Sequence, residues 1–209
     1  MIKYTIELHN IIKSKVHSDC EIVCVFQTGS GLLLSLYRDV DLIVLINNYK
    51  VVKERRYDHM NLESFDFNGK HYDCFFVDTQ DFFHKTCPRT FHCISLLMAI
   101  QDSKFVYFGA IPEEYKQIDW RERLINILRK RYTEFLETEK IQIPMNKRNH
   151  RFVIEKVFYW DWFLVCILHN GSLSFTTEQL YIGQQIHDNM TSTYVADKWK
   201  ALAEDILFN

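Results

Sequence analysis

The chain has 209 residues, with 25 Lys+Arg against 27 Asp+Glu and a formal net charge of −2 when histidine is neutral. Hydrophobic residues at 47% and charged residues at 25% are ordinary globular usage, which excludes collagen-like, disordered and strongly basic chains. With 6 Gly and 3 Pro, there is little provision for long flexible linkers. The opening Met1-Ile2-Lys3-Tyr4-Thr5-Ile6-Glu7 meets an acid before an apolar stretch of signal length can build, so no secretory leader is expected. Residues 157–168 form the longest apolar run. They are interrupted by Asp161, fall short of the about 20 residues needed to cross a bilayer, and read as a buried helix. Six scattered cysteines (Cys20, Cys24, Cys74, Cys87, Cys93, Cys166) are expected as free thiols of a reducing cytosol, which makes the cytoplasm the expected location.

Tyr4, Leu8, Ile11, Ile12 and Val16 recur at helical spacing, so an amphipathic helix opens the chain and ends near His17-Ser18-Asp19. A Val- and Ile-rich strand over residues 21–26 then stops at Gln27-Thr28-Gly29-Ser30-Gly31, where paired glycines mark a tight turn. One or two helical turns are expected over residues 32–37, followed by a strand over 38–46 buried on both faces in its second half. Asn68-Gly69 is the clearest hairpin signal, because a two-residue turn needs positive φ at both positions. In its second arm Tyr72, Cys74 and Phe76 face one way, and His71, Asp73, Phe75 and Val77 the other. A helix over 90–101, with an apolar face of Phe91, Ile94, Leu97 and Met98, and a short strand over 105–108 ending at Gly109 complete the first half.

After Pro112 the pattern becomes helical. Asp119, with Glu122 three residues on, opens a helix running to about Lys140, and Pro144 breaks it. Further helices are expected over 146–169, 176–187 and 193–207, the first of them stopped by Asn170-Gly171. The expected architecture is an α+β domain with a mixed sheet, residues 1–112, followed by an all-helical domain, residues 113–209.

Asp39 and Asp41 stand two apart in a predicted strand, so they leave the same face about 6–7 Å apart. Paired carboxylates at the mouth of an apolar strand repel each other and lose hydration, and a divalent cation compensates both effects. Hard oxygen ligands in this arrangement suit Mg²⁺ or Mn²⁺. Asp73 supplies a third acid if the hairpin pairs beside the Asp39 strand, and three converging carboxylates suit two-metal phosphoryl or nucleotidyl transfer. Asp66, beside the turn, and Asp78, past the apolar body of the strand, compete for that third position. Gly29-Ser30-Gly31 lets backbone N–H groups approach an anion, with the Ser30 hydroxyl as a further donor, which reads as a phosphate cradle.

Gly29-Ser30, Asp39-Val40-Asp41-Leu42 and Asp73 within His71-Tyr72-Asp73-Cys74-Phe75-Phe76-Val77 together resemble the nucleotidyltransferase superfamily of DNA polymerase β, kanamycin nucleotidyltransferase and the minimal nucleotidyltransferases. The resemblance covers roughly the first 110 residues. It implies that Gly29 and Ser30 hold the triphosphate of an NTP, ATP among them. It implies further that Asp39 and Asp41 bind two metal ions, Mg²⁺ or Mn²⁺, and that Asp73, as the third acid at the metal site, helps activate the attacking hydroxyl. The implied activity is transfer of an NMP to an acceptor hydroxyl with release of pyrophosphate. The acceptor is left open among a small molecule, a protein side chain and an RNA end. The helical half is expected to shape its pocket.

Other readings stand beside this one. A non-catalytic nucleotide- or partner-binding module is the alternative, suggested by the short, leucine-rich segment between Ser30 and Asp39. Glycosyltransferases also use Asp-x-Asp with Mn²⁺, but there the long strand precedes the acids, and here it follows them. His84, Cys87, His92 and Cys93 are zinc-ligand types whose spacing matches no familiar finger. The aromatic group Phe158, Tyr159, Trp160, Trp162 and Phe163 is expected in a core. Arg129-Lys130-Arg131 and Lys147-Arg148 are expected as solvated helix faces, and net charge −2 gives no broad footprint for duplex nucleic acid. Lys104 and Glu155 are lesser candidates, for phosphate contact and for an acceptor-side base.

Overall fold

The computed structural model describes residues 4–29, 32, 39–50, 56–57, 60–82, 84, 90–140, 148–188 and 193–209, with the backbone alone for 56–57, 90–91, 138–140, 148–157 and 193. Ser30, Cys87, Lys147 and the expected helical turns over 33–37 lie outside the described residues, as do the side chains of Phe91, Arg148 and Glu155. The chain divides into two compact units, Met1–Ile118 and Asp119–Asn209. The class is α+β, with the C-terminal part helical.

In the first unit, helix α1 (Ile6–Ser14) starts where the Thr5 hydroxyl accepts from the Leu8 N–H, and it buries Leu8 and Ile12. Strands β1 (Glu21–Thr28), β2 (Asp39–Asn47), β3 (Arg56–Tyr57), β4 (Met60–Phe67), β5 (Lys70–Asp78) and β6 (Val106–Gly109) form one mixed sheet, in the order β3-β4-β5-β2-β1-β6. Only β2 and β5 run parallel; the other neighbours are antiparallel. Asn68 and Gly69 have φ of 50° and 73°, as the two-residue turn joining β4 to β5 requires.

Strand alternation divides the side chains between two cores. Val40, Leu42, Val44 and Ile46 of β2, with Tyr72, Cys74 and Phe76 of β5 and Val25 of β1, pack on Leu8 and Ile12 of α1. The opposite face carries Phe26, Ile43, Leu45 and Phe75. Helix α3 (Thr90–Gln101) contacts β1 on this side, and the His92 ring meets Phe75 and Phe82 edge-on at 6.3 and 6.2 Å. The narrow apolar stripe expected for α3 is too modest, because residues 92–99 are buried all round the helix.

Besides strand β3, three short elements among the described residues add to the expected pattern. Helix α2 (Thr79–Asp81) is capped by the Asp78 carboxylate, a 3₁₀ turn (Ser103–Phe105) is capped by Asp102, and helix α4 (Glu113–Lys116) follows Pro112. Tyr115 of α4 is fully buried, and its hydroxyl donates to the Thr79 carbonyl at 2.5 Å, which ties α4 to the first unit.

The second unit contains α5 (Trp120–Lys140), α6 (Arg148–Asn170), α7 (Thr177–His187) and α8 (Thr193–Phe208). Helix α6 contacts the other three, so its residues 158–168 are buried continuously and the aromatic group is core, as expected. Asp161 sits within this apolar stretch with 4% of its side chain exposed. Arg131 of α5 answers it with a planar fork, Nε donating at 2.9 Å and Nη2 at 2.8 Å to Oδ2. Although burial opposes the Arg131 charge, the hydrogen bonds and charge of Asp161 raise its pKa above the ordinary value. Arg131 is thereby committed internally, so the basic cluster loses a member. Trp199 Nε1 donates to the Asp161 carbonyl at 3.0 Å, and Trp162 Nε1 to the Gln179 carbonyl at 2.9 Å. Among the described residues, no helix is long and apolar enough to cross a membrane.

Removing one partner of a buried ion pair costs about 3–5 kcal/mol, and the 28% exposure of Arg131 moderates this. Asp161→Ala is therefore expected to destabilise the tryptophan-reported unfolding transition in urea by roughly 2–3 kcal/mol. Arg129→Ala is expected to change it by less than about 0.5 kcal/mol.

Candidate functional site

The candidate residues gather where β2 and β5 begin and β1 ends. The parallel register sets Asp41 directly opposite Asp73 and Asp39 opposite His71. The antiparallel neighbours extend both rows, pairing Thr28 with Asp41, Ser64 with Asp73 and Asp66 with His71. Directly paired residues share a face, so two transverse rows lie side by side on the α3 side of the sheet. One runs Ser64, Asp73, Asp41, Thr28; the other runs Asp66, His71, Asp39. Asp39 is exposed and Asp41 half-buried, and from Leu42 to Ile46 β2 is buried on both faces. The acids thus occupy the water-reached margin where these strands begin.

Gly29 closes the β1 end of this site. It has φ of +79°, and the Leu32 N–H donates to its carbonyl at 3.2 Å. A Cβ built on Gly29 would lie 1.8 Å from Asp41 Oδ2, so the backbone passes against the carboxylate with no space for a side chain. Thr28 Oγ1 and Ser95 Oγ share a buried hydrogen bond at 2.8 Å, which fastens the end of β1 to α3. Of the Gly-Ser turn, only Gly29 belongs to the described residues.

Asp73 is 27% exposed. Its Oδ1 accepts from the Ser64 hydroxyl and faces His71 Nε2 at 3.5 Å, while His71 Nδ1 donates to Asp66 Oδ1 at 2.8 Å. Because of that hydrogen bond first, and then the charges of Asp73, Asp66 and Asp39, the His71 pKa is raised above its ordinary value. The two rivals for the third position have other duties. Asp66 holds His71, and Asp78 accepts from the N–H groups of Tyr49, Gln80 and Asp81 at the far end of β5.

His71 and Ser64 are the residues that reasoning from motifs passed over. Both were accessible to arithmetic. A two-residue Asn68-Gly69 turn pairs Phe67 with Lys70, and counting outward pairs Asp66 with His71 and Ser64 with Asp73.

The donor chemistry of Asp39, Asp41 and Asp73 fits a hard divalent cation, which takes one or two carboxylates and completes its shell with water and phosphate oxygens. Among the described residues, no three His, Cys, Asp or Glu side chains gather into a ready-made ion cage. Thiol chemistry is excluded for Cys74 despite its place beside Asp73. It points into the α1 core, and burial, then the charges of Asp73 and Asp41, raise its pKa. Cys24 and Cys166 are each pushed up to about 12 by burial. His92 and Cys93 are buried within α3, and Lys104 pairs with Asp102 at 2.5 Å and lies over the Phe105 ring. Comparison with protein-family models and with curated proteins returned no match.

Two outcomes follow from this geometry. Gly29→Ala forces a Cβ into Asp41 at a positive φ, so it is expected to cost roughly 1–3 kcal/mol in thermal unfolding. In an NMR titration, His71 is expected to gain its proton above the ordinary value of 6.5, and Asp66→Asn to bring that midpoint down. The stabilisation from the Asp66 contact is complete below the unfolded value and is lost as pH rises through the raised folded one.

Proposed function

We propose that this chain is a metal-dependent nucleotidyltransferase that moves an NMP unit from an NTP to an acceptor hydroxyl and releases pyrophosphate. The observation that carries this reading is the register of β2 against β5, which makes Asp41 the cross-strand partner of Asp73, with Asp39 one step along the same face. The close passage of Gly29 against Asp41 supports it, since a backbone without a side chain admits phosphate oxygens to the carboxylate row. Asp39, Asp41 and Asp73 are the residues that would hold Mg²⁺ or Mn²⁺, two ions in the full reading. When bound, the ions supply charge stabilisation for the triphosphate and the departing pyrophosphate.

The chain's own contribution is positioning. Asp39 and Asp41 orient the triphosphate end, and Asp73 takes the proton of the attacking hydroxyl. Ser64 and His71 hold the Asp73 carboxylate in place. The acceptor class stays open among small molecule, protein side chain and RNA end.

A second reading, a catalytically inactive nucleotide- or partner-binding module, draws on one observation: a histidine stands among the acids, where its protonated form offsets their charge without a metal. Calorimetry separates the two. NTP binding of equal strength with and without Mg²⁺, and no pyrophosphate release, would favour the module.

On the first reading, purified chain supplied with NTPs, Mg²⁺ or Mn²⁺ and candidate acceptors releases pyrophosphate. Asp39→Asn/Asp41→Asn is then expected to slow release by roughly 100-fold or more. Unchanged release in that variant would overturn the proposal.

A further inference from the structure

We propose that Ser64 is itself an acceptor hydroxyl, so that the chain nucleotidylates its own β4 strand; this rests on the nucleotidyltransferase reading of the same site. Ser64 is exposed, and solvent alone would satisfy its hydroxyl. Instead, Ser64 Oγ donates to Asp73 Oδ1, on the cross-strand partner of Asp41. A serine hydroxyl is a weak nucleophile until a base within hydrogen-bond reach can take its proton, and the base works best when a third group holds it. Asp73 is in reach, and His71, anchored by Asp66 at 2.8 Å, stands 3.5 Å from the same oxygen.

The chain Ser64, Asp73, His71, Asp66 therefore has the connectivity of an activated nucleophile, with Ser64 two strands from the carboxylates assigned to the triphosphate and Asp73 on the strand between. Among the described residues, the hydroxyls of Thr28 and Ser95 on that face are buried and bonded to each other, which makes them unsuited to the task.

The step balances without a redox partner. Ser64 Oγ attacks the α-phosphorus of an NTP, and the Oγ–P bond forms as the bond from that phosphorus to the bridging oxygen of the β-phosphate breaks. The electron pair leaves with pyrophosphate, and the hydroxyl proton passes to Asp73 Oδ1. The product is a phosphodiester-linked NMP on Ser64.

The test incubates the full chain with each of the four NTPs, labelled at the α-phosphate, with Mg²⁺ or Mn²⁺, followed by intact-mass measurement and peptide mapping. The expected result is one NMP per chain on the peptide that contains Ser64. Ser64→Thr keeps a slower reaction, and Ser64→Ala loses roughly 100-fold or more of the incorporation. A thermal melt of Ser64→Ala shows that the loss is not one of folding.

Label on another residue, or undiminished labelling of Ser64→Ala, would overturn the self-modification alone. Pyrophosphate release to an added acceptor with Ser64 unmodified would do the same and leave nucleotidyl transfer standing. If no NTP shows Mg²⁺-dependent binding or pyrophosphate release, both proposals fall together.

Discussion

Mutual repulsion of carboxylates on one sheet face is the constraint around which the first unit is arranged. Asp41 and Asp73 are direct cross-strand partners, with Asp39 beside them and Asp66 beyond His71. Two like charges about 5 Å apart repel by on the order of 1–3 kcal/mol between water-like and protein-surface dielectrics, before any loss of hydration. An arrangement of this kind persists where water, a proton or a cation offsets it. Here partial exposure of the row supplies the first and His71 the second, and a divalent cation accounts for the third in the function proposed.

The second unit resolves the same difficulty in a different way. Asp161 is more deeply buried than any of the sheet acids, yet Arg131 answers it with a permanent charge in a fork of well-formed hydrogen bonds. That pair is closed, and its chemistry is structural. Asp66 and Asp73 of the sheet face have a histidine as neighbour, whose charge depends on pH. A carboxylate paired with arginine keeps its counter-charge at every ordinary pH, and one paired with histidine does not.

Positioning comes from the layers around the acids. The buried halves of β2 and β5 pack against α1 on one face and lie under α3 on the other, so the register that opposes Asp41 and Asp73 cannot slip by one residue without turning Leu42 and Cys74 out of the core. Thr28 and Ser95 hold the end of β1, and Gly29 lets the chain turn away directly against Asp41. A rigid apolar sheet thus ends in a polar, water-reached margin, an arrangement that keeps a site precise while leaving it accessible.

Local pattern was enough to read most of the elements. Period-two alternation separated Tyr72, Cys74 and Phe76 from His71, Asp73 and Phe75, Asn68-Gly69 announced its hairpin, and the helices of the second unit were legible from their spacing and stops. Those features depend on residues a few positions apart, so the chain's own order carries them. The burial of α3 on all sides and the attachment of Tyr115 to Thr79 were hidden, because each depends on which distant segment arrives as a neighbour. The same holds for the site. Sequence alone determined which acids share a face of their own strand, and hairpin counting pairs Ser64 with Asp73. The parallel register of β2 on β5 joins segments 32 residues apart through a crossover of unpatterned length, and only packing of both strands between α1 and α3 decided that Asp41 would stand beside Asp73.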